Sequence, residues 1–171
     1  TTTTTLRPNH AGSMVVGDPA IFLDTIDGGQ ASSHFELTCP SGCTETFSGD
    51  RHVFSSFLHM HEVGRTIWTS LLKYDSGRLV SKNIYDFREF WNFGFQQLTP
   101  VDLILSPGDQ INTHCVYDTT KGGGGDVDFG SASSQEMCMS FLFYYPYQPY
   151  DAYYCGYYSS SASICGQLSA G

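Results

Sequence analysis

Apolar and polar side chains alternate along most of this chain, and the alternation breaks at short clusters of glycine, proline, aspartate and serine. HFELTC (34–39), RTIWTSLLKY (65–74), RLVSKNIYDF (78–87), QINTHCVYD (110–118) and EMCMSFLFYYPY (136–147) each read as a strand. MVVGDPAIFLDTI (14–26) reads as strand, turn, strand around Gly17-Asp18-Pro19. Asp75-Ser76-Gly77 predicts a tight hairpin and Ser106-Pro107-Gly108-Asp109 a turn. Residues 88–99 are aromatic and irregular, and KGGGGDVDFGSASS (121–134) is a polar, glycine-rich loop expected to be mobile. No stretch sustains a 3.6-residue apolar period. Many short strands at regular turn spacing predict an all-β fold, an antiparallel β-sandwich.

HVFSSFLHMHEVG (52–64) carries three of the six histidines and reads as one strand. His59 and His61 are two residues apart, so on a strand they share a face, with α-carbons roughly 7 Å apart at about 3.3 Å per residue. Met60 then faces the opposite side. The bland reading is a polar stripe facing water. The chemical reading is a pair of imidazole ligands for one metal ion, which needs a third ligand from another strand. Met137, Met139, His114, His52 and Glu62 are the candidates, and a soft thioether favours copper, Cu(I) in particular.

A length of 171 residues implies one domain. We expect residues 1–10 to be a Thr-rich linker or terminal segment and 11–171 to be the sandwich, with a Tyr/Ser-rich tail from about residue 148. Five successive threonines cannot bury enough apolar surface to fold, and they suit a linker or an O-glycosylated stretch. No N-x-S/T sequon occurs. Charged residues make up only 15% and the formal net charge is −9, which argues against nucleic acid and against an anionic membrane surface. No apolar run approaches the roughly 20 residues of a membrane-spanning helix. Six cysteines in a small acidic domain predict three disulfides and an oxidising, extracellular or secretory compartment. The residues alone leave all pairings open. Cys39 and Cys43 have a spacing zinc tolerates, but no second pair follows at finger spacing. Asp126 and Asp128 are too few oxygens for calcium, and no G-x-S-x-G nucleophile elbow is present.

His52 to Gly64 reads His-x-Phe-x-x-x-x-His-Met-His-x-x-Gly. This resembles a copper signature of the copper type II, ascorbate-dependent monooxygenases, which usually carry Thr where this chain has Met60. LRPNHAGSMVVG, ILSPGDQINTHCVYDT and GSASSQEMCMSFLFYYP resemble further blocks of the family's C-terminal domain, in the right order over roughly residues 6–155. The resemblance implies a jelly-roll β-sandwich and one copper ion held by His59, His61 and Met137. His52 and His114 have no ligand role in it. It also implies disulfides Cys115–Cys138, Cys39–Cys155 and Cys43–Cys165.

In the family a second copper domain stores an electron from ascorbate, under a His-His-Met-x-x-Phe-x-Cys signature. Nothing in this chain resembles it. The resemblance therefore implies an extracellular copper-binding module used for binding or assembly, self-associating through exposed strands or the N-terminal segment. The alternative is the oxygen-activating half of a copper- and ascorbate-dependent monooxygenase whose partner domain lies elsewhere. In a third reading the histidines are remnants in a purely structural sandwich.

Overall fold

The computed structural model describes residues 9–17, 24–148, 154–158 and 162–166. The threonine run, Asp18-Pro19 of the first turn and the first part of the strand expected after it lie outside the described residues, and the end of that expected strand forms a short strand at Thr25–Ile26.

Among the described residues, twelve strands build two sheets and a small two-stranded pair, with one α-helical turn and one 3-10 turn (Lys121–Gly123) between strands. The larger sheet orders β12 (Ala162–Gly166), β11 (Tyr154–Tyr158), β1 (Gly12–Gly17), β10 (Met139–Tyr145), β4 (Arg51–His59) and β7 (Leu98–Leu105). The second orders β3 (Ser33–Cys39), β8 (Gln110–Tyr117), β5 (Gly64–Asp75) and β6 (Arg78–Arg88). Every pairing is antiparallel except β1 with β11. The fold class is the all-β sandwich that the alternation predicts. α1 (Ser41–Thr44) is a single turn inside the CPSGC segment. Asp75 and Arg78 pair across a two-residue turn in which Ser76 has φ 50° and Gly77 φ 77°, the doubly left-handed turn whose twist matches its strands.

Inward residues of both sheets meet in two apolar clusters. One holds Met14, Val53, Leu71, Ile111 and Leu142, the other Leu58, Met60, Ile67, Cys115 and Cys138. Between them, at the middle inward position of four strands, lie Ser56, Thr69, Thr113 and Ser140, all fully buried. The Thr69 and Thr113 hydroxyls stand 3.2 Å apart, so a polar belt crosses the sandwich. Disulfides join Cys39 to Cys155, Cys43 to Cys165 and Cys115 to Cys138.

Four expectations are corrected. The strand expected over 52–64 ends at His59, and Met60 and His61 lie beyond it. The strand expected over 136–147 is shorter, Met139–Tyr145. LTPVDLIL was not foreseen as a strand, yet it forms β7, where Pro100 is tolerated because β7 is a sheet edge. The 121–134 loop is tied down: β9 (Val127–Asp128) pairs with β2 (Thr25–Ile26). There Asp126 Oδ1 accepts the Gly28 N–H and Asp128 Oδ1 accepts the Thr25 hydroxyl, each at 2.8 Å. Those two carboxylates are thereby engaged in holding a loop.

β1 has a neighbour on each side, so the first described strand is not a free edge. β6 and β7 are edges.

Candidate metal centre

β4 delivers His59 at its last position, and the chain then bends so that His61 follows it outside the ladder. The bend has a visible cause. The buried Glu136 carboxylate accepts the His61 N–H at 2.8 Å and the Val63 N–H at 2.7 Å, replacing the strand partners these amides would otherwise need. It also lies 3.3 Å from the Met137 N–H. Burial raises the Glu136 carboxyl above its ordinary value, against the pull of those three amides toward the anion. Met60 is fully buried in the core, facing away from the two rings as the alternation implied.

The two imidazoles sit with ring centres 5.0 Å apart and planes at 84°. His61 is buried and His59 half-buried. Each ring is held by its Nδ1. His61 Nδ1 lies 2.8 Å from the Gln135 carbonyl, which can only accept, so Nδ1 carries the proton. His59 Nδ1 lies 2.8 Å from Gln96 Oε1, and the Gln96 amide nitrogen donates to the Phe93 carbonyl at 2.9 Å, which fixes that amide's orientation. In the neutral tautomer that these bonds select, each ring presents an unprotonated Nε2. Hydrogen bonds of this kind at the other ring nitrogen orient histidine ligands. His59 is further held neutral because burial lowers its pKa; the Gln96 hydrogen bond opposes this and the His61 neighbour adds to it.

The spacing fits one ion. A metal about 2.0–2.1 Å beyond Nε2 lies about 3.2 Å from the ring centre, so two ligating rings stand about 4.5–5.2 Å apart. The main chain of His61 is fixed on its other side as well, since Trp91 Nε1 donates to its carbonyl at 2.9 Å.

Met139 pairs directly with His59 across β10 and β4. Beyond that pair the ladder stops, and Glu136 Oε2 accepts from the main-chain N–H groups of both His61 and Met137. Tyr117 donates its hydroxyl to the Met137 carbonyl at 2.7 Å, and the Cys115–Cys138 bridge anchors the next residue to β8. Burial raises the Tyr117 phenol well above its usual value, with the Glu136 charge adding to it, so it stays a donor. Among the described residues no three His, Cys, Asp or Glu side chains gather for a metal.

The remaining sequence candidates lie elsewhere. His52 stacks on Tyr145 at 5.1 Å and 14°. His114 is on β8 in the other sheet, stacked on Trp68. Glu62 is exposed and lines a cleft of about 250 Å³ backed by Gln135 and Glu136. The orienting residues Gln96, Gln135 and Glu136 were not singled out from sequence; only Glu136 left a trace there, as the residue before Met137 in the Glu-Met-Cys block.

The family model for the copper type II ascorbate-dependent monooxygenase C-terminal domain matches residues 9–165. DBH-like monooxygenase protein 1 of Mus musculus is 34% identical over 151 residues, 84% of this chain and 24% of that protein. Tyramine beta-hydroxylase of Caenorhabditis briggsae is 32% identical over 145 residues, covering 82% and 24% respectively. Dopamine beta-hydroxylase of Equus caballus is 30% identical over 156 residues, covering 84% and 23%. The chain spans about a quarter of the length of each of these relatives.

Proposed function

Because the chain belongs to the copper type II ascorbate-dependent monooxygenase family, as its C-terminal domain, we propose that it binds one copper ion through His59, His61 and Met137 and serves as the oxygen-side half of a monooxygenase. Copper in such a site supplies redox chemistry toward oxygen, with ascorbate as the family's electron source. The observation that supports this most directly is the pair of Nδ1-anchored imidazoles with ring centres 5.0 Å apart. Each of the chain's own groups has a part in that reading. Gln96 and the Gln135 carbonyl orient the rings, Glu136 and Trp91 hold the main chain of His61, and Tyr117 fixes the backbone at Met137. Phe57 and Phe141 flank His59 at 6.1 and 6.4 Å and favour an apolar substrate edge over a charged one. Three disulfides suit a protein of the secretory pathway.

Metal analysis after loading with Cu(I) tests the reading. We expect one equivalent in the natural chain and none above background in the His59→Ala/His61→Ala pair. Full copper occupancy in that pair would refute it.

A second reading, a module that works by association, is favoured by a different observation. Large apolar side chains stand exposed along β6, the segment linking it to β7 and the start of β7: Val80 is 58% exposed, Ile84 56%, Phe90 83% and Leu98 60%. Patches of this kind mark interaction surfaces. Sizing that gives a monomer at every concentration, with or without copper, would remove self-association.

A further inference from the structure

The outer face of the second sheet carries a row of side chains that the copper site does not use. Strand register sets Glu36 (β3) opposite His114 (β8), His114 opposite Trp68 (β5), and Trp68 opposite Phe87 (β6). His34, diagonal to His114 on β3, is exposed, and its Nδ1 lies 2.9 Å from His114 Nε2. The His114 ring is half-buried and stacked on Trp68 with centres 4.1 Å apart and planes at 11°.

We propose that His34 and His114 form a second metal site, a cross-strand bis-imidazole chelate for Cu(II), with solvent completing the coordination. The first argument is distance. Two nitrogens bound side by side at about 2.0–2.1 Å stand about 2.9 Å apart when the angle between them is a right angle, and about 3.3 Å when it is tetrahedral. The two nitrogens, 2.9 Å apart in a hydrogen bond, already stand within that range, and imidazole nitrogens bind Cu(II) ahead of the other divalent first-row ions. The second is preorganisation. Trp68 fixes one ring, so a single exposed side chain, His34, has to turn for both lone pairs to meet at one point. The third is proton balance. The proton between the rings has to leave the nitrogens that bind: His34 changes tautomer from Nδ1–H to Nε2–H, the new N–H donates to Ser32 Oγ, 2.9 Å away, and both imidazoles stay neutral. The site lies on the opposite sheet from His59 and stands or falls independently of the proposal made for that histidine.

The two tryptophans make the test selective. Trp91 contacts His61, whereas Trp68 stacks on His114. In a Trp91→Phe chain, titration with Cu(II) alone should lower Trp68 emission at least two-fold with a saturating isotherm. His34→Ala in the same background should weaken that isotherm at least ten-fold. In the unsubstituted chain, electron paramagnetic resonance should show a second Cu(II) with nitrogen couplings that His34→Ala removes. Unchanged Trp68 emission through two equivalents of Cu(II), or an isotherm and spectrum unaltered by His34→Ala, would overturn the proposal.

Discussion

The Glu136 carboxylate accepts the His61 N–H at 2.8 Å across 75 residues of sequence, and through this bond one buried acid sets where β4 stops. Its other oxygen takes the Val63 N–H at 2.7 Å. The loop bearing His61 and the segment bearing Met137 are therefore positioned by the same group. Glu136→Ala leaves buried amides without an acceptor and should cost about 2–4 kcal/mol of stability. Copper affinity should drop with it, because both ligand-bearing segments relax. Urea unfolding and a copper titration on the same preparation measure the two effects.

Met137 and Met139 are both half-buried, two residues apart, and strand register pairs Met139 with His59. If the Met137 assignment holds, X-ray absorption of the Cu(I) form should show a sulfur scatterer that Met137→Leu removes and Met139→Leu keeps. The opposite pattern would move the ligand to Met139. The swap to Leu conserves volume, so stability should change by less than about 1.5 kcal/mol in either variant.

Arg51 is fully buried, with its guanidinium 3.5 Å over the Phe47 ring and 4.5 Å from Tyr144. Its Nε donates to Gln148 Oε1 at 3.0 Å, and Nη1 lies 3.1 Å from Met14 Sδ. A planar cation that stacks and forks at once has no lysine equivalent. Arg51→Lys should lower stability by about 2–3 kcal/mol, read as a shift of the urea midpoint at constant slope. Copper binding should survive in the folded fraction.

Two half-buried histidines and one buried glutamate set opposing pH slopes in the metal-free chain. His59 and His114 lie below the ordinary imidazole value, in both cases chiefly because burial disfavours the cation. Between each folded value and about 6.5 the unfolded chain binds more protons. Stability is therefore lost as the pH falls through that window. Glu136, raised by burial, works the other way: from about 4.5 up to its folded value the native state holds more protons, and acidification favours the fold. Urea midpoints taken across about pH 5 to 7.5 should fall toward acid. That slope should flatten in His114→Gln and steepen in Glu136→Gln, where the opposing carboxyl is gone.

Short-range patterns were readable and long-range hydrogen bonds were not. Alternation along 65–74 and 78–87 and the Ser76-Gly77 turn gave β5, β6 and their hairpin, because period and turn chemistry are local. The His59-Met60-His61 triplet exposed the paired imidazoles and the inward Met60 for the same reason. The end of β4 was missed because Glu136 enforces it from a distant part of the chain. Gln96 and Gln135 were missed because a lone glutamine in an irregular segment looks like any solvated amide until the fold brings it to a ring nitrogen. β7 was missed because Thr99-Pro100 reads as a turn, and only edge placement makes that proline compatible with a strand.

The hydroxyl belt of Ser56, Thr69, Thr113 and Ser140 divides the hydrocarbon interior into two compartments, with Leu58, Met60 and Cys138 in the one below the imidazoles and Leu71, Ile111 and Leu142 in the other. Such a partition allows one compartment to breathe while its neighbour stays shut. Deuterium uptake at the ends of β4 and β8 nearest His61 should then slow on metal capture, while the far ends of the same strands keep their rhythm.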